Sequence, residues 1–176
     1  ACARTLVQAG HRVTVFDKNQ AVGGRMATRS SPFGTFDCGT QYFTVRDARF
    51  AQALAITPDA CKPWSANTVR VLDSYGRVTA ASLPAREPHW VPSPAMNTLP
   101  ALWAQPLQDA GSVELQTRVA RIEPDPIHAQ QWQLRTEGSG GSQRVFSGFN
   151  AVVLALPAAH AQAFLQDSQQ GPAVAK

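Results

Sequence analysis

Val13-Thr14-Val15-Phe16-Asp17-Lys18, followed six residues past the aspartate by Gly23-Gly24-Arg25-Met26, decides how the chain is read. The first piece is a short buried strand of β-branched and aromatic residues that ends on a carboxylate. In a nucleotide-binding βαβ unit, the strand after the first helix ends on such an Asp or Glu, which accepts hydrogen bonds from ribose hydroxyls. The paired glycines let the backbone come close to a ligand, and Arg25 supplies a charge suited to a pyrophosphate. Taken singly, an Asp at a strand end is often a turn residue, and a Gly-Gly is often only a loop. The combination and its order carry the reading.

The residues before it agree. ACARTLVQAG, residues 1–10, has Ala3, Leu6 and Val7 at helical spacing, and Gly10 suits a left-handed C-terminal cap. His11-Arg12 is a short turn into the strand. The order is helix, tight turn, strand, carboxylate. The strand and the Gly-x-Gly-x-x-Gly turn expected ahead of such a helix are not in the sequence, so the chain reads as part of a longer protein.

These pieces resemble the flavin-binding start of the amine oxidase superfamily, most closely its small renalase-type members. The likeness rests on ACARTLVQAG, on GGRMATR (23–29) and on FDCGTQYFT (36–44), with its Asp-x-Gly some ten residues after the Gly-Gly-Arg. PSPAMNTLPALWA (92–104), TRVARIE (117–123) and AVVLALP (151–157) follow in the family's order. The resemblance implies an α/β fold: a Rossmann-like FAD-binding domain with an inserted, mainly β substrate domain, incomplete here. It assigns 1–45 to the first part of the FAD-binding domain and 46–95 to a substrate-domain segment and linker. Residues 96–157 would be the second part, and 158–176 the start of a return to the substrate domain.

For the site, the resemblance places Asp17, Lys18, Gly23, Gly24, Arg25 and Met26 at the adenosine and pyrophosphate of FAD. It places Gln41, Tyr42 and Phe43 near the flavin ring or the substrate entrance, and Val119 where a backbone pairs with adenine. Phe43 reads equally well as part of an aromatic core, and Val119 as an ordinary strand hydrophobe. Asp37 and Gly39 shape a turn. No catalytic acid–base pair stands out. His89 beside Trp90 is tempting, but a lone histidine is more often structural. The implied activity is an FAD-dependent oxidation of a small molecule, an amine or a reduced nicotinamide, with dioxygen restoring the flavin. Two alternatives stay open: an NAD(P)-binding Rossmann dehydrogenase, against which Gly-Gly-Arg argues, and a non-catalytic folded fragment or interaction module.

Composition sets outer limits. At 176 residues, 44% of them hydrophobic, the chain is long enough to bury a core. No apolar run approaches the roughly 18 residues that span a bilayer, so no membrane role is expected. The net charge of +4 comes from scattered arginines with no basic run, which argues against nucleic acid. Cys2, Cys38 and Cys61 fit neither a zinc pattern nor a disulfide framework and read as reduced thiols in a cytoplasm, with Cys38 as a small buried filler. A truncated sheet would leave unpaired edges that invite self-association.

Further along, Ser30 to Gly34 reads as a loop and Arg46 to Ala55 as a helix with Phe50 and Leu54 on one face. Thr57 to Trp64 is a proline-containing loop, and Val69 to Leu83 is two strands around Ser-Tyr-Gly. Pro84 to Pro94 is a linker. A helix starts with Asn97 or Thr98 as its N-cap and ends at Gly111. Val113 to Gln116 and Thr117 to Glu123 are strands. Trp132 to Thr136 and Arg144 to Phe149 form a hairpin around EGSGGS. Ala151 to Leu156, AVVLAL, reads as a strand buried on both faces. His160 to Phe164 begins a helix, and the tail after Asp167 is frayed.

Overall fold

The computed structural model describes residues 1–64, 69–82, 87–137 and 141–168. They fall into two compact units, one of Ala1 with Val22–Asp109, the other of Cys2–Ala21 with Ala110–Lys176.

In the second unit, helix α1 (Cys2–Gln8) ends as its sequence predicts. Gly10 takes φ 86°, His11 N–H donates to the Leu6 carbonyl at 3.0 Å, and Gly10 N–H donates to that of Val7 at 2.9 Å. This crossed pair stops the helix and satisfies its last carbonyls. The chain then turns into strand β1 (Val15–Phe16), which pairs in parallel with β9 (Val113–Glu114). Phe16 places its ring edge against Phe146 and Phe149, at 4.9 and 6.3 Å between centroids.

Those two rings belong to β12 (Gln143–Phe149), the last strand of an antiparallel meander with β10 (Arg118–Pro124) and β11 (Trp132–Glu137). The predicted hairpin is present, although 138–140 of its connection lie outside the described residues. Ile122, Leu134 and Thr136 form the core of this unit. Helix α4 (Ala158–Asp167) lies against β10, and Ser168 after it accepts a hydrogen bond from Ile122 N–H at 3.2 Å.

In the first unit, the Gly24–Met26 3-10 turn leads into hairpin β2 (Thr28–Ser31) and β3 (Gly34–Asp37). The expected loop at Ser30 to Gly34 is therefore mostly strand. Pro32 presets the turn, while Ser31 Oγ accepts from Phe33 N–H and donates to the Gly34 carbonyl. Strand β4 (Phe43–Thr44) and β5 (Cys61–Pro63) flank β8 (His89–Pro92) in a second small sheet. Two further expectations are corrected by this sheet. Thr57 to Trp64 contains β5, and Pro84 to Pro94 contains the central strand of a sheet. Prolines on both sides of His-Trp-Val made a four-residue strand read as linker.

Helix α2 (Ala48–Ala55) is capped by Asp47, which accepts from Arg49 N–H at 2.8 Å. Its Phe50 meets Phe43 at 5.5 Å and Trp103 at 6.2 Å, edge to face. Trp103 sits on α3 (Thr98–Asp109), whose Leu99 is buried with the preceding Met96. Hairpin β6 (Val69–Leu72) and β7 (Val78–Ser82) turns where Asp73 Oδ1 accepts from Tyr75 and Arg77 N–H. Leu83 and residues 84–86 of the predicted linker, and the tail from 169 on, lie outside the described residues.

One strand prediction fails. Ala151 to Leu156 joins no sheet among the described residues, and Val153 is 63% exposed and Leu156 49%. An apolar run states that a segment can be buried; whether it becomes a strand depends on a ladder partner, and none pairs with it here.

Candidate functional site

In the second unit the site is built on the end of the parallel pair. Val15 N–H donates to the Ser112 carbonyl, and Asp17 N–H donates to that of Glu114 at 2.9 Å. Past Asp17 the pairing continues, because Thr117 N–H donates to the Asp17 carbonyl and Gln116 N–H to that of Asn19, both at 2.9 Å. Asp17 therefore stands at the carboxyl end of β1, the edge where ligands bind in open α/β sheets. Its Oδ1 accepts from both the backbone and the side-chain amide of Asn19, each at 2.9 Å. Its Oδ2 makes no hydrogen bond among the described residues. Lys18, next to it, is exposed.

Thr117 is one residue from β10, and Val119 is the second residue of that strand. Val119 pairs with Thr136, after which the register slips so that Ala120 has no partner. Such a bulge re-aims the backbone, and bulges recur beside binding sites. Val119 itself is half-buried at the outer strand of the meander. Beside the bulge a cleft of about 300 Å³ opens between Arg121, Arg135, Thr136 and Gln143. Glu123 ties its arginines: Arg135 Nε lies 2.9 Å and Arg121 3.7 Å from the carboxylate. The Gln133 amide, together with Arg135, holds the Glu123 carboxyl below the usual glutamate range.

In the first unit the Gly-Gly-Arg turn has the backbone only glycine takes easily. Gly23 has φ 133° and Gly24 φ 51°, and Met26 N–H closes onto the Gly23 carbonyl at 2.8 Å. The Arg25 side chain is exposed and makes no ion pair among the described residues. Its carbonyl faces inward, where Thr40 N–H donates to it at 2.8 Å, while Cys38 N–H donates to the Ala27 carbonyl at 3.1 Å. A Cβ on Gly39 would overlap the Arg25 carbonyl oxygen. The glycine of the Asp-x-Gly is thus required by space, whereas Gly23 is required by its φ.

Asp37 does more than shape that turn. Its Oδ1 accepts from Thr28 Oγ1 at 2.6 Å and from Met96 N–H at 3.0 Å, and Thr28 Oγ1 accepts from Asn97 N–H at 3.2 Å. Thr28 was not singled out in the sequence. A hydroxyl three residues after the arginine, with an acid nine residues later, was the available signal.

The three ring-side candidates separate. Gln41 is exposed. Tyr42 is half-buried and stacks on His89 at 3.8 Å and 16°, and on Trp64 at 5.7 Å and 30°. Phe43 points to the other side, into the Phe50–Trp103 cluster. His89 thus has a packing role as a stacked ring. Cys38, read as a buried filler, is exposed, its thiol donating to the Phe36 carbonyl at 3.4 Å. No cluster that could hold a metal occurs among the described residues.

Each unit, taken by itself, offers groups suited to one part of a nucleotide. One offers a strand-end carboxylate for ribose hydroxyls. The other offers a positive-φ glycine turn beside a guanidinium that makes no ion pair among the described residues, suited to phosphate. Among solved structures, S-allyl-L-cysteine S-oxygenase from Allium sativum is similar at 16% identity and a TM-score of 0.41, over 85% of this chain and 32% of that one. The chain thus spans about a third of the length of that structure. No helix among the described residues is long and apolar enough to cross a membrane. Residues 1–55 match the family described as an NAD(P)-binding Rossmann-like domain, and the fold is of the Rossmann-like α/β class.

Proposed function

We propose that the chain is the nucleotide-binding part of an FAD-dependent oxidoreductase of the amine oxidase type, nearest to renalases. The observation that carries the reading is Asp17, at the carboxyl end of a parallel strand with one carboxylate oxygen free of hydrogen bonds among the described residues. In this reading Asp17 accepts from the ribose hydroxyls, with Lys18 alongside, and Val119 pairs its backbone with adenine. Gly23, Gly24 and Met26 shape the turn at the pyrophosphate, and Arg25 neutralises it. Gln41 and Tyr42 lie toward the flavin ring, and Phe43 supports them from the aromatic core.

When bound, a flavin would supply the redox chemistry, the oxidation of a carbon next to nitrogen with dioxygen as the final electron acceptor. The protein binds and orients; substrates are small amines or reduced nicotinamides. A nicotinamide dinucleotide in place of FAD is the second reading, favoured by the description of the matched family. Titration of the chain with FAD and with NADP separates the two. The expected result is a flavin absorbance spectrum that survives gel filtration, and its loss in Arg25→Ala. A chain that stays folded and takes up neither dinucleotide refutes both readings and leaves a folded interaction module.

A further inference from the structure

We infer that Thr28 and Asp37 are positioning residues for the Gly23–Arg25 turn, acting on a bound dinucleotide through the backbone and not by touching it. This deepens the function proposed above and rests on that turn being the pyrophosphate site. Thr28 has one hydroxyl proton. It goes to Asp37 Oδ1 at 2.6 Å, which leaves the hydroxyl oxygen to accept from Asn97 N–H. Asp37 Oδ1 also accepts from Met96 N–H. The two side chains thereby grip two consecutive backbone amides just before α3, and Met96 itself is 1% exposed. Thr28 and Asp37 are also cross-strand partners in the β2–β3 hairpin, so the grip sits at the hairpin's open end.

From there the hydrogen bonds continue one by one to the turn. Cys38 N–H holds the Ala27 carbonyl, and Thr40 N–H holds that of Arg25. The Arg25 backbone is therefore fixed, through the backbone amides of Cys38 and Thr40 and the Thr28–Asp37 pair, to the start of the helix that carries the buried Leu99. Binding at such a turn is strongest when its geometry is fixed beforehand, because ordering it on binding costs affinity. Release of Thr28 and Asp37 leaves the guanidinium present but the turn free to shift.

The test uses the full chain with ADP and adenosine as probes, and amide hydrogen exchange without ligand. Thr28→Val keeps the shape and removes the hydroxyl, while Thr28→Ser and Asp37→Asn keep the needed donor or acceptor. We expect Thr28→Val to speed exchange at Cys38 and Thr40 but not at Thr117 or Ile122 in the other unit. It should weaken ADP about tenfold, the equivalent of one charge-assisted hydrogen bond, and leave adenosine unchanged. Thr28→Ser should stay near wild type, and Asp37→Asn, which keeps the acceptor but loses its charge, should fall between wild type and Thr28→Val. Equal losses for ADP and adenosine, or unchanged exchange at Cys38 and Thr40, overturn the inference. A wild-type chain that binds ADP no better than adenosine overturns the phosphate reading of the turn itself, and the inference with it.

Discussion

Replacing Gly39 by alanine tests the crossing on which the Gly-Gly-Arg turn depends. The new methyl would overlap the Arg25 carbonyl oxygen and stand 2.8 Å from its carbonyl carbon, both backbone atoms that no rotamer change can move aside. The two segments must separate. The hydrogen bonds on either side of Gly39, from Cys38 to Ala27 and from Thr40 to Arg25, then lengthen or break. Forced overpacking costs about 1–3 kcal/mol, and two backbone hydrogen bonds add about 1 kcal/mol each. For a chain of this size a loss near 3 kcal/mol lowers Tm by roughly 6–12 °C. The sign is the sharper criterion. At a glycine with an ordinary φ and free space around it, alanine stabilises by about 0.4–1 kcal/mol. Thermal unfolding followed by circular dichroism and tryptophan fluorescence gives the answer, since Trp64, Trp90 and Trp103 all belong to the unit that holds Gly39. A Tm equal to or above wild type would show that the segments do not cross this closely.

Two further outcomes follow from groups away from the site. The Asp125 side chain is 1% exposed and accepts from Ile127, His128 and Gly148 N–H, and these bonds, the one from Ile127 foremost, hold its carboxyl below the usual aspartate range. A folded pKa lower than the unfolded one gives stability that is present above the unfolded value, near 4, and is lost as pH falls through the folded value. Urea unfolding at a series of pH values should therefore show a midpoint that declines in acid, with a shallower decline in Asp125→Asn. Equal slopes would contradict the assignment. Burial pushes the Cys61 thiol up, whereas Cys2 and Cys38 are exposed. A disulfide reagent at mildly alkaline pH should label two thiols quickly and the third slowly, with Cys61→Ser removing the slow phase; uniform labelling of all three speaks against a covered Cys61.

Much of the local structure was legible because it follows from single residues. Gly10 announced the end of α1, and Phe50 and Leu54 on one face announced α2. The Ser-Tyr-Gly turn marked the hairpin read over Val69 to Leu83, of which β6 and β7 are present. What was not legible depends on partners. AVVLAL is apolar enough for a buried strand, but hydrophobicity does not supply a ladder. His-Trp-Val, between prolines, forms the middle of a sheet only because β4 and β5 arrive on either side. The place of Asp17 at a strand end and the tight Gly-Gly-Arg turn could be read, as local structure, from type and spacing. Thr28 left only a faint trace, a hydroxyl between the arginine and the acid, because its role arises from the Asn97 amide, 69 residues further along, and from Asp37, which takes the neighbouring Met96 amide.

The two aspartates at strand ends show why residue type alone does not assign a role. In both, Oδ1 accepts two hydrogen bonds and Oδ2 none among the described residues. What separates them is where the donors come from. Asp37 takes the Thr28 hydroxyl across its hairpin and the Met96 amide, 59 residues further along, just before α3, so its carboxylate ties two distant segments and helps cap the start of a helix. Asp17 takes both donors from Asn19, two residues on, and ties nothing distant. A carboxylate whose donors are long-range amides is held by the fold and fixes it in turn, whereas one held only by its own turn, at the carboxyl end of a parallel strand, stays open to a donor from outside, which is the position the proposed ribose contact needs.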